Sequence, residues 1–128
     1  MTARGDQGQA TVELALALPL VAIFLLGAVQ VVAVARDQIA VVYAARELAR
    51  AAAVAADAPP DGSNTVTGIT DLEPSRLVVS VSSSSGRVRA EVRYRSPTDV
   101  PIVGALLPDI TVVGTAIMAQ EPTAGVPP

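Results

Sequence analysis

Leu14 to Ala35 reads LALALPLVAIFLLGAVQVVAVA, 22 residues with no charge and a single polar side chain, Gln30. About 20 residues rising 1.5 Å each cross the roughly 30 Å hydrocarbon core of a bilayer. Thirteen residues of the stretch are Leu, Ile, Val or Phe. At about 0.3–0.6 kcal/mol each they favour insertion by several kcal/mol, even after Gln30 and Pro19 take some back. The competing reading, the core helix of a soluble protein, needs a partner surface that the rest of the chain lacks. Only Phe24, Tyr43 and Tyr94 are aromatic among 128 residues, and aromatic side chains make the largest single contributions to a globular core. A membrane-spanning helix is therefore expected at 14–35. Pro19 removes one backbone hydrogen bond and is expected either to bend the helix or to be absorbed early in it.

The small-residue site Ala33-Val34-Ala35 ahead of Arg36 raises a second possibility, a cleaved secretory signal. Signal cores, however, run 7–15 residues behind a positively charged segment. Here the run is longer, and Arg4 is balanced by Asp6.

Beyond Ala35 the chain continues RDQIAVVYAARELARAAAVAAD with no Gly or Pro before Pro59. Ala, Leu, Arg and Glu are strong helix formers, so one helix is expected over 9–56. Its second half carries Ala45, Ala49 and Ala53 every fourth residue, a ridge of small side chains that lets another helix approach closely. Either it packs helices of neighbouring subunits or it simply reflects alanine's helix propensity. Glu47 and Arg50, at i,i+3, form an ordinary solvated pair with Arg46 nearby.

The segment 57–76 begins with Asp-Ala-Pro-Pro-Asp-Gly-Ser-Asn and reads as a linker. Three strands are expected over 77–121. Leu77–Ser82 is Val-rich and leads through serines to Gly86, which supplies a hairpin turn. Arg87–Arg95 alternates, with Val88, Ala90, Val92 and Tyr94 on one face and Arg87, Arg89, Glu91, Arg93 and Arg95 on the other. Ile110–Met118 follows the apolar, proline-broken loop Val100–Pro108. A three-stranded meander this small cannot stand alone, so its apolar face should lie on the second half of the long helix. The fold class is α+β. The arginine row reads as the solvated face of a half-buried strand that also discourages edge pairing, and the tail 122–128 is expected to be disordered.

With no Cys and no His, disulfides, thiolate chemistry, imidazole catalysis and the common zinc or iron sites are excluded. No cofactor and no enzymatic activity are expected. A net charge of −3 gives no electrostatic case for nucleic acid. Every basic residue is Arg, which fits the codon bias of a GC-rich bacterial genome. The tripeptide Arg4-Gly5-Asp6 is too short to carry an adhesion function. Ser82–Ser85 has no histidine to activate it, and the acids from Asp57 to Glu73 lack calcium-loop spacing.

Ahead of the span stands Gly8-Gln-Ala-Thr-Val-Glu13. A glycine, then glutamate five residues later, then an apolar helix resembles a class III prepilin signal. GQATVELALALPLV (8–21), YAARELARAAA (43–53) and GTAIMAQE (114–121) together resemble the TadE-like minor pilins, or pseudopilins, of tight-adherence (Flp, type IV) pilus systems. The likeness is strongest over Gly8 to Ala53 and loose in the strands. It implies a pilin-like architecture, a leader 1–8 cut by a prepilin peptidase between Gly8 and Gln9, and a helix anchored in the cytoplasmic membrane with the C-terminal body outside. It also implies a place in, or a part in building, an extracellular filament. Glu13 would then be the assembly residue, pairing with the freed N-terminal amine of a neighbouring subunit. A carboxylate drawn into low dielectric is costly unless paired, although an acid in a first helical turn is also favoured by the helix dipole. Charge counting runs against this orientation: one Arg precedes the span, while Arg36, Arg46 and Arg50 follow it. The resemblance names other pilin subunits, the assembly machinery, the peptidase and membrane lipid as partners. Two further readings stand beside it: an unprocessed single-pass anchor carrying a binding or regulatory module, and a secreted domain freed after Ala35.

Overall fold

The computed structural model describes residues 6–55 and 61–120. The first part of the expected leader, residue 56, the start of the linker at 57–60, residue 121 and the tail 122–128 lie outside the described residues. The architecture is α+β, as the sequence predicts: one long apolar helix and a three-stranded antiparallel sheet.

Helix α1 spans Asp6–Val54, 49 residues with Pro19 inside it. It begins two residues ahead of Gly8, and Ala55 closes it with an N–H donated to the Ala51 carbonyl at 3.1 Å. The described residues form two compact units: 6–33 with 98–108, and 34–55 and 61–97 with 109–120.

In the second unit, β1 (Leu77–Ser84), β2 (Arg87–Ser96) and β3 (Ile110–Ala119) form the sheet in the order β1-β2-β3. Each strand runs one or two residues past its expected end. The β1–β2 turn is two residues long, because Ser84 pairs directly with Arg87. Ser85 and Gly86 both have positive φ, 52° and 71°, the geometry whose twist matches the flanking strands. Alternation then sorts the faces. Val88, Ala90, Val92, Tyr94 and Ser96 of β2 are buried, while its arginines are exposed.

The buried face lies against the second half of α1. Val41, Ala44, Ala45, Leu48 and Ala49 join Ala90, Val92, Tyr94 and Val112 in one core, flanked by Leu77, Val79, Val81, Ala116 and Met118. Each fully buried Val or Leu contributes about 1.5–3 kcal/mol, so the sheet is stabilised by this helix as expected.

Two features depart from the sequence reading. First, the stretch read as a featureless linker contains helix α2, Gly62–Ile69. Asp61 caps it, accepting from the Ser63 N–H at 3.2 Å and the Asn64 amide at 2.8 Å, and Val66 anchors it in the core. A single turn of 3₁₀ helix, Pro74–Arg76, follows. Second, β2 is the central strand, so its arginine row cannot guard an edge. Its neighbours across the outer face are the exposed Val78, Val113 and Ile117, paired with Arg93, Arg93 and Arg89. Aliphatic arginine stems suit that apolar cover while their guanidinium heads stay in water.

Candidate functional site

No cluster of His, Cys, Asp or Glu suited to a metal exists among the described residues. The candidate site is the entrance to α1. Gly8, Gln9 and Glu13 are all exposed and helical, and a Cβ built on Gly8 would meet nothing within 4 Å. Gln9 and Glu13 stand at i,i+4, one above the other on the same helix face. Because α1 starts at Asp6, Glu13 lies two turns in, beyond the first turn where the dipole acts. The dipole therefore does not account for this acid. Arg36 is the next charge along the chain, and at 1.5 Å per residue it stands on the order of 35 Å away. The helix itself offers Glu13 no counter-ion.

From Glu13 to Leu25 the helix is bare. Leu16, Leu20 and Phe24 are 75%, 71% and 75% exposed, and only 6% of the most apolar window of α1 is buried. A core helix of a soluble protein would be mostly covered. This is one helix long and apolar enough to cross a membrane.

Ala45, Ala49 and Ala53 sit elsewhere, buried in the chain's own core. The close approach they permit is that of the sheet. The helix passes close to Gly114, where an added Cβ would lie 2.6 Å from the Val41 carbonyl oxygen and 2.9 Å from the Val42 Cα. One turn earlier, polar groups fix the same crossing. The buried Ser96 hydroxyl donates to the Asp37 carboxylate at 2.6 Å, and the Gln38 amide donates to the Val113 carbonyl at 3.0 Å. Arg76 holds the open ends of the outer strands together, donating to Glu73 at 3.2 Å and Asp109 at 3.1 Å.

In the sequence Gln30 counts only as a cost of insertion. It is 4% exposed, and no buried side-chain polar atom among the described residues lacks a hydrogen-bond partner. The available signal was its solitude: a lone polar residue in a span is retained where it has a partner inside the protein.

Residues 8–50 match the family described as TadE-like protein, as the entrance motif and helix predict. The match lies wholly on α1 and stops before the sheet, so the looser likeness of the strands lies outside it. No curated protein and no solved structure matches the chain.

Proposed function

With a TadE-like segment forming its long helix, we propose that this chain is a minor pilin, or pseudopilin, taking part in assembly of a tight-adherence pilus. Its role is structural and non-enzymatic. A prepilin peptidase cuts between Gly8 and Gln9, and Leu14–Ala35 holds the product in the cytoplasmic membrane with the sheet-bearing body outside. Glu13 then registers the subunit against the freed amine of a neighbour.

The observation that carries this reading is an apolar helix exposed all round from Leu14 to Leu25, headed by an acid, Glu13, with no charge partner on its own helix. Such a helix is stable in lipid or against the helices of other subunits. A carboxylate at the rim of that surface is favourable where a cation from elsewhere reaches it.

The test is mass spectrometry of the N-terminus of the protein taken from its native membrane. A start at Gln9 with its amine intact supports the proposal. A start at Met1 or Thr2 assigns an unprocessed anchor, and a start at Arg36 a secreted domain. A Gln9 start lacking the mass of ammonia means that the residue has cyclised, which removes the charge that Glu13 is proposed to meet.

A further inference from the structure

Between Asp99 and Asp109 runs VPIVGALLP, nine residues without a charge. We infer that Val100–Pro108 is a second membrane-contacting element, lying in the boundary between headgroups and acyl chains beside α1, with Ile102, Leu106 and Leu107 against lipid. The inference rests on the membrane anchor at Leu14–Ala35 and is independent of pilus assembly.

Position is the first ground. Thr98–Pro108 forms one compact unit with residues 6–33. On that part of α1, exposure falls at Leu26, Gly27 and Gln30, which share one face, while Val29, Val31 and Val32 stay 59–68% exposed. Gln30 and Leu26 stand about 7 and 13 Å inside the end of the span, counted from Ala35 at 1.5 Å per residue. Interfacial elements bury their apolar face about 5–10 Å into the headgroup and acyl boundary, so the depth at Gln30 agrees and Leu26 lies just beneath it.

Chemistry is the second. Ile102, Leu106 and Leu107 are 55%, 75% and 51% exposed, whereas Val103 is 7% exposed. The segment turns one side chain inward and leaves three large apolar ones outside, beside a helix whose own apolar side chains are equally bare. An acid at each end marks where the chain returns to water.

Backbone satisfaction is the third. Irregular backbone near hydrocarbon needs its polar groups paired within the protein. The N–H groups of Val103, Gly104 and Leu107 donate to the carbonyls of Pro101, Val100 and Val103 at 2.8, 2.8 and 2.9 Å. Pro101 and Pro108 have no N–H to satisfy, and the Thr98 hydroxyl closes the base on the Pro108 carbonyl at 3.2 Å. Only glycine fits at position 104, where a Cβ would strike the Thr98 carbonyl. Ile102 is held at φ 70°, ψ −49°, with the Val103 N–H bonded back to Pro101. This is a classic-sense γ-turn, a strained conformation for a β-branched residue.

The chain contains no Trp, so one introduced indole reports its own surroundings. Phe24→Trp and Leu106→Trp replace side chains that are each 75% exposed, and neither disturbs a packed core. Each full-length variant is placed in phospholipid vesicles carrying brominated acyl chains, then titrated with aqueous iodide. The expected result is bromolipid quenching at Leu106→Trp of the same order as at Phe24→Trp, with several-fold less iodide quenching than free tryptophan. Strong iodide quenching at Leu106→Trp, with Phe24→Trp still lipid-quenched, overturns the loop inference and leaves the anchor standing. Shielding from both quenchers overturns it in favour of contact with another protein surface. Loss of lipid quenching at Phe24→Trp overturns the anchor and the loop together.

Discussion

Replacing Gly114 by alanine places one methyl group where strand β3 crosses α1. The added Cβ would lie 2.6 Å from the Val41 oxygen, 2.8 Å from its carbonyl carbon and 2.9 Å from the Val42 Cα. All three are backbone atoms of a helix and cannot rotate aside. Bringing the shortest contact from 2.6 Å to an ordinary 3.4 Å separates strand and helix by about 0.8 Å. A gap of that order forfeits about a quarter to a half of each dispersion contact along the crossing. Overpacking of this kind costs about 1–3 kcal/mol, against which alanine recovers roughly 0.4–1 kcal/mol by restricting the unfolded chain. The expected net destabilisation is about 1.3 kcal/mol, or roughly 9-fold in the opening equilibrium. Native-state amide exchange of the full chain in detergent reads it directly, as faster exchange at the core of β2 and β3. Exchange at those strands unchanged from the parent would refute the crossing at Gly114.

Gly68→Ala in α2 is the matched control: a Cβ there meets nothing within 4 Å, so helix propensity alone should raise stability by about 0.5–1 kcal/mol in chemical denaturation. Ser96→Ala removes the 2.6 Å bond to Asp37 and should lower the denaturation midpoint by about 1–2 kcal/mol equivalent with an unchanged slope. Gln30→Leu should leave α1 helical but loosen its unit; with a bilayer hydrogen bond worth about 0.6–1.7 kcal/mol, exchange at Val103, Gly104 and Leu107 should rise roughly three- to fifteen-fold. Glu13→Ala should leave cleavage after Gly8 intact and abolish or sharply reduce piliation; normal pili from this variant would rule out the pairing role.

The elements most legible in the sequence are those whose signal is local and repeated. The span at 14–35 needs only its length and lack of charge. β2 needs only its period-two alternation, and the hairpin turn needs Gly86 between two Val-bearing runs. The stretch from Gly8 to Glu13 is also readable as the head of that helix, because its spacing is local. Helix α2 was less legible. Its cap, Asp61 followed by Ser63 and Asn64, is a valid start signal, but it sits among breakers and heads only eight residues. The paired hydrogen bonds and the burial of Val66 decide in favour of helix.

Other features depend on what meets what. A ridge of alanines states that something comes close and does not say whether it is a neighbour's helix or the chain's own sheet. Gly114 looks like any glycine in a strand until α1 crosses it. Gln30 looks like a blemish in an apolar run until it is found buried, and VPIVGALLP looks like a broken loop until it is grouped with the helix it accompanies. Hydropathy and periodicity are properties of consecutive residues, so the sequence by itself determined the long apolar helix, the strands and the charge at the helix entrance. Close approach is a property of two segments distant in the chain, here Val41 with Gly114 and Asp37 with Ser96. Only the tertiary structure could decide which small residues are spaces already filled and which apolar ones remain open to lipid or to a partner.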